Sequence, residues 1–259
     1  MSILRDMERL LRAPFEVPSW YAPNHVLLAS FPKSGSTWLR FILANIARES
    51  GGHGTEVDFR TLGRYSPEIR RNRDLHDRIE AAGLPLFLKT HFPWTRAFRR
   101  YRAIVVVRHP FRVLPSYYDH LKGAAGRSVP ALDQFLRHWR YGAHAWCDWH
   151  LRWHAHAHAV VKYEDLLVRP RDVIAALFET LELCPDDNVI ELAVGRSGRD
   201  EMRRLLTERG DPNPRNPGFE FVSDANGRTR RTALNDEQRE FVERVTRPAL
   251  ERFGYEIGE

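Results

Sequence analysis

Lys33-Ser34-Gly35-Ser36-Thr37 crowds a cation, three hydroxyls and a glycine into five residues, inside the stretch SFPKSGSTWLRFIL. Two further clusters follow: Lys89-Thr90-His91, then Arg108-His109-Pro110. Hydroxyls and turn amides hydrogen-bond phosphate or sulfate oxygens, and lysine and arginine supply the opposing charge. A histidine titrates close enough to neutral pH to take a proton from a nucleophile. Together these residue types suit an anionic group that is held and then transferred.

Such chemistry needs elements that bring the clusters together. Four apolar runs read as buried strands: HVLLAS (25–30), LPLFLKT (84–90), YRAIVVVRH (101–109) and HAVVKYEDL (158–166). Helical patterns cover about 36–48, 111–122, 131–155 with at least one break, 170–182, 187–207 and 235–252. In the first, Trp38, Ile42 and Ile46 recur at helical spacing, flanked by Leu39, Phe41 and Leu43. Strands alternating with helices predict an α/β fold, a central parallel sheet flanked by helices. Ligands of such sheets bind beyond the carboxyl ends of the strands. Lys33, Lys89, His91, Arg108 and His109 all fall there, and strand four leads through Lys162 and Tyr163 into Glu164-Asp165. The cluster at 33–37 opens a helix, whose first N–H groups lack intrahelical partners and attract anions. An ordinary Ser/Thr helix cap is the plainer alternative.

The 259 residues suffice for one α/β domain over 1–259, and 42% hydrophobic with 29% charged residues is ordinary for a globular chain. A net charge of +6 favours acidic partners, among them a charged nucleotide. Cys147 and Cys184 are too few for a disulfide framework and lack metal-ligand spacing. The N-terminus carries Asp6 and Glu8 without a long apolar core, so neither a signal peptide nor a transmembrane segment is expected. An apolar stripe of Ile3, Leu4, Met7, Leu10 and Leu11 suits docking on the domain, and the expected location is cytoplasmic. GDPNPRNPGF (210–219) reads as a loop, and the weakly periodic stretch 49–74 as the lining of a substrate entrance.

The Walker pattern G-x-x-x-x-G-K-[ST] is absent, because here the lysine precedes the glycine. FPKSGSTW instead resembles the P-loop-like 5′-phosphosulfate-binding loop of the sulfotransferases that use 3′-phosphoadenosine 5′-phosphosulfate, typically Y-P-K-S-G-T-T-W. VVVRHPFRVLPSYYDHLK (105–122) resembles their 3′-phosphate segment, LKTHFP (88–93) is similar to their K-T-H-L-P, and VKYEDLL (161–167) resembles their next strand. These matches span about 25–205 in the family's order. The resemblance implies Ser34, Gly35, Ser36 and Thr37 around the 5′-phosphate, with Lys33 on the oxygen that bridges phosphorus and sulfur. It implies adenine against Trp38, the 3′-phosphate on Arg108 and Ser116, and Tyr163 beside the nucleotide. His91 would be the general base, and Lys33 and Lys89 the charge stabilisers. The co-substrate would be 3′-phosphoadenosine 5′-phosphosulfate, its product 3′-phosphoadenosine 5′-phosphate, with no metal required.

The chain departs from the family in SDANGRTRRTALNDEQ (223–238), where an R-K-G element is usual. Gly227 fits the glycine and Arg228 follows it, with Arg230 and Arg231 nearby, while Ala225 and Asn226 replace the basic pair. Arg199 occupies a place where an aromatic is usual, and Pro115 beside Ser116 is expected to kink its helix.

Plainer alternatives stand beside several assignments. Lys33 has a solvated turn lysine as its plainer reading, Trp38 a core residue, His91 a structural histidine and Tyr163 a strand aromatic. Arg108 has Asp119 or Asp165 as candidate ion-pair partners. His150, His154, His156 and His158 could present a metal pair from a helix, but a third ligand is missing and exposed histidines at a helix end fit better. Rival functions are an atypical nucleotide-dependent small-molecule kinase, which needs Mg²⁺ and carboxylates, and a non-catalytic nucleotide- or nucleic-acid-binding protein. No nucleic-acid-binding module is recognisable, so nucleic acid is not the expected partner. The acceptor is expected to be a small molecule or glycan, a hydroxyl before an amine. The oligomeric state stays open, with a homodimer allowed.

Overall fold

The computed structural model describes residues 21–22, 24–51, 54–69, 78–81, 83–123, 129–210 and 232–257. Its centre is a four-stranded parallel sheet of β1 (Val26–Ser30), β2 (Phe87–Thr90), β3 (Arg102–Val107) and β4 (Ala159–Lys162), in spatial order β2-β1-β3-β4. The inner strands are nearly continuous runs of Val, Ile, Leu and Ala because both faces are covered. Their alternation sorts the core into two layers. Leu27, Ala29, Leu88, Ala103, Val105 and Val107 point to one side, and Val26, Leu28, Phe87, Ile104, Val106 and Val161 to the other.

On the second side lie α1 (Ser36–Gly51) and, later in the chain, α6 (Tyr163–Val168), α7 (Pro170–Thr180) and α8 (Asp187–Arg196). On the first side lie α3 (Pro110–Gly123), α4 (Leu132–Arg137), α5 (Ala143–His154) and α10 (Asp236–Arg252). The short α2 (Leu62–Tyr65) and α9 (Arg199–Arg209) cover the outer face of α1 around Phe41 and Ala44. Helix α1 buries Leu39, Phe41, Ile42, Leu43 and Ile46, each worth about 1.5–3 kcal/mol of transfer free energy.

The expected α/β architecture with a central parallel sheet is therefore present, with corrections at the element ends. The fourth predicted strand stops at Lys162, and Tyr163–Val168 is helical, with Glu164 and Asp165 in the first turn where the helix dipole favours acids. The helix expected over 187–207 breaks at Ser197 and Gly198, where the Ser197 hydroxyl turns back to the Ala193 carbonyl at 2.7 Å. The predicted break within 131–155 falls at 138–142. A Cβ on Gly142 would lie 2.1 Å from the Leu136 carbonyl oxygen, so only glycine fits that corner. Helix α3 runs on through Pro115 without interruption. The weakly periodic stretch after α1 adds residues 67–69 beside β2: Lys89 N donates to the Pro67 carbonyl and Ile69 N to the Lys89 carbonyl. The N-terminal stripe, most of 210–219, and Gly227 and Arg228 lie outside the described residues.

Candidate active site

The helices after β1 and β3 leave for opposite faces of the sheet, and that topology opens a crevice at the carboxyl ends of these two strands. The loop from Phe31 to Ser36 forms one wall. Lys33 has φ 71° and Gly35 φ 89°, and Ser34 N donates to the Phe31 carbonyl at 3.2 Å. Left-handed residues in a turn can bring neighbouring backbone N–H groups to one side, the arrangement an anion cradle uses. Ser34 is buried, and its hydroxyl has no hydrogen-bond partner among the described residues. Ser36 and Thr37 then open α1, adding the N-terminal amides and the positive end of the helix dipole.

Gly35 is required twice. Its φ belongs to glycine, and a Cβ there would sit 2.1 Å from Cδ2 of Tyr163. The Tyr163 ring is a plate for three partners: Gly35 on its edge, the Arg108 guanidinium 4.3 Å from its centroid, and Trp38 in edge contact at 6.0 Å. Arg108 Nη1 also donates to the Lys33 carbonyl at 3.3 Å, so the ends of β1 and β3 are linked across the crevice. Asp119 accepts two hydrogen bonds from Thr232, at 3.0 and 2.5 Å, and Asp165 lies 3.6 Å from Arg169. Trp38 is half-buried against the apolar faces around α1, and its indole N–H has no partner among the described residues. Ser116 lies half-buried on α3, two turns beyond Arg108.

β2 ends at Thr90, so His91 stands just past the strand rather than on it. Thr90 Oγ1 accepts from Phe92 N at 3.0 Å and fixes the turn. His91 Nδ1 donates to the Ser30 carbonyl at 2.6 Å, with the Ser30 hydroxyl 3.3 Å from the same nitrogen. Burial first, then the positive charge of Lys89, pushes the His91 pKa down to about 3 against the opposing pull of Glu68. The imidazole is therefore neutral at physiological pH, with Nδ1 protonated and Nε2 carrying the lone pair. Lys89 is buried and paired with Glu68 at 3.2 Å. Behind His91, Trp149 Nε1 donates to the His91 and Phe92 carbonyls, both at 3.1 Å, and Trp153 Nε1 donates to the Phe92 carbonyl at 2.9 Å.

Glu68, Ser30 and Trp149 escaped the sequence reading. Glu68 lies in a stretch without clear periodicity, and the role of Trp149 depends on a contact 58 residues away in the chain. The histidines of 150–158 do not converge. His150 is fully buried with Nδ1 on the Trp146 carbonyl at 2.7 Å, while His156 stacks on Trp94 at 3.7 Å. His158 Nδ1 accepts from Ala103 N at 3.1 Å. No group of three His, Cys, Asp or Glu able to hold a metal occurs among the described residues.

Fold and site thus define a parallel α/β protein with a glycine-bearing loop at a helix N-terminus, cations and a neutral histidine gathered at the carboxyl ends of its strands. The sulfotransferase domain family model matches residues 23–254, and the chain belongs to that family of enzymes. Sulfotransferase 1A1 of Bos taurus is 26% identical over 202 residues, covering 70% of this chain and 67% of the relative. The Rattus norvegicus counterpart is 25% identical with the same coverage. Among solved structures, retinol dehydratase in a complex with retinol and PAP superposes with a TM-score of 0.63 at 13% identity, covering 92% of this chain and 83% of that one. Mouse sulfotransferase SULT7A1 complexed with PAP gives 0.55 at 14% identity, covering 89% and 84%. These two structures are similar to this chain in fold.

Proposed function

We propose that the protein transfers a sulfuryl group from 3′-phosphoadenosine 5′-phosphosulfate to an acceptor hydroxyl, with His91 as the general base. The observation that carries this reading is the hydrogen bond from His91 to Ser30, three residues before Lys33, which sets a proton acceptor and an anion loop on the end of one strand. The residues fit the donor. The Lys33–Thr37 loop suits the 5′-phosphate, and Gly35 allows both its left-handed turn and the close approach of the Tyr163 ring. Arg108 offers its planar fork to the 3′-phosphate, supported by Ser116, and Trp38 offers a ring face on which adenine can stack. Gly227 and Arg228 complete the assignment by sequence.

When bound, the donor supplies an electrophilic sulfur and a phosphate leaving group. Nε2 of His91 takes the proton that the acceptor hydroxyl gives up. Lys33 neutralises charge growing on the oxygen that leaves with phosphate, and Lys89 adds positive potential beside the sulfuryl oxygens. Positioning and charge stabilisation carry most of such a reaction. The kinase alternative asks Glu164 and Asp165 to hold Mg²⁺. Glu164 already accepts from His109 N and Tyr255, and Asp165 lies by Arg169. Retinol and androsterone accompany PAP in related structures, which favours a small hydroxyl-bearing acceptor here too.

The test is transfer from radiolabelled 3′-phosphoadenosine 5′-phosphosulfate to panels of phenols, aliphatic alcohols, sugars and amines. The reading expects label on a hydroxyl acceptor with wild type and a loss of at least about a hundredfold with His91→Ala. Label on amines alone, or full activity in His91→Ala, contradicts it.

A further inference from the structure

The ladder between β3 and β4 ends at the pair Val107 and Lys162, and both chains then turn into helices. The next residues, Arg108 and Tyr163, carry the guanidinium-on-ring contact at the crevice, yet no strand pairing holds their backbones in register. A side chain continues the register instead. Glu164 Oε1 accepts from the backbone N–H of His109 at 3.0 Å, and Oε2 accepts from the Tyr255 hydroxyl at 2.8 Å.

Tyr255 comes from the turn after α10, 91 residues from Glu164. Its N–H donates to the Leu250 carbonyl at 3.0 Å, and its ring stands edge-on to His109 with centroids 5.5 Å apart. Lys162 Nζ lies 4.7 Å from the centre of that ring and donates to the Gly254 carbonyl at 2.7 Å. The C-terminal turn is thereby fastened to the ends of both strands.

We propose that Glu164 and Tyr255 form a latch that positions Arg108 for the 3′-phosphate of the nucleotide, so that the turn after α10 takes part in donor selection. This rests on the assignment of Arg108 to that phosphate. The latch residues touch no substrate. They fix the backbone on either side of the Arg108–Tyr163 contact, and a shift there displaces the guanidinium fork. Recognition of a phosphate by two parallel N–H bonds is sensitive to such a shift.

The experiment is isothermal titration of wild type, Arg108→Ala, Tyr255→Phe, Glu164→Ala and Glu164→Gln with 3′-phosphoadenosine 5′-phosphate and with adenosine 5′-phosphate. Thermal melts accompany each variant. The latch predicts that Glu164→Ala and Tyr255→Phe lose about tenfold in affinity for the bisphosphate, the scale of one charge-assisted hydrogen bond, while the monophosphate changes less than about twofold. Glu164→Gln, which still accepts from His109 N, recovers most of the loss. A purely structural role lowers the melting temperature and weakens both nucleotides together, which overturns the latch, as does an unchanged bisphosphate affinity. If Arg108→Ala leaves the ratio of the two affinities unaltered, the Arg108 assignment itself falls and the latch with it.

Discussion

The Nδ1–H of His91 donates to the carbonyl oxygen of Ser30 at 2.6 Å, and that bond selects Nε2 as the nitrogen free to accept a proton. His91→Gln keeps a polar side chain but loses the basic nitrogen. The expected result is a kcat lower by about 10²–10⁴-fold, the usual contribution of a general base, with affinity for 3′-phosphoadenosine 5′-phosphate within about threefold of wild type. Steady-state kinetics with a titration of the spent donor separates the two effects.

The His91 pKa of about 3 also sets a pH dependence. A base with a depressed pKa stays neutral, and so competent, as pH falls through the range where an ordinary histidine protonates near 6.5. In the free enzyme, kcat/KM is expected to show no acid limb from His91 between pH 7 and 5.5. A limb close to 6.5 that disappears in His91→Gln would show an ordinary histidine in its place.

Gly35 meets two demands, a φ of 89° and contact with Tyr163. Gly35→Ala imposes backbone strain of about 1–3 kcal/mol and pushes the Tyr163 plate away. Affinity for the bisphosphate is expected to fall by at least about tenfold, with Gly83→Ala as the comparison. Gly83 has φ 77° and nothing within 4 Å of a Cβ, so that variant carries strain without a clash and leaves the affinity unchanged.

His150 supplies a stability test independent of the site. Burial pushes its pKa down to about 3, partly offset by its bond to the Trp146 carbonyl. Its folded pKa lies below the unfolded value, so the unfolded chain binds a proton that the folded chain refuses. Stability is therefore lost as pH falls from about 6.5 toward 3, with a slope of about 1.4 kcal/mol per pH unit for this group. Urea unfolding of wild type and His150→Leu between pH 6 and 4.5 should show the slope reduced by about that amount in the variant, and equal slopes would assign the loss to other groups.

The strands were legible because each is an apolar run bounded by polar residues, and that pattern follows from burial on both faces. The cation clusters were legible because parallel strands deliver their carboxyl ends to one edge. Hidden from the sequence were features resting on distant contacts or weak patterns. Tyr163–Leu166 reads as a continuing strand from Val160 and Val161, yet acids at the first turn and the contact of Tyr163 with Gly35 favour a helix there. Glu68 reaches Lys89 from a stretch with no period, and Tyr255 meets Glu164 across 91 residues of chain.

The most direct test of the donor site is isothermal titration of the full chain with 3′-phosphoadenosine 5′-phosphate and with ATP, each with and without Mg²⁺, repeated on Lys33→Ala and Arg108→Ala. The account predicts binding of the bisphosphate independent of metal and weaker by at least about tenfold in each variant, with ATP far behind. Preference for ATP with Mg²⁺, or bisphosphate binding that survives both substitutions, would contradict it.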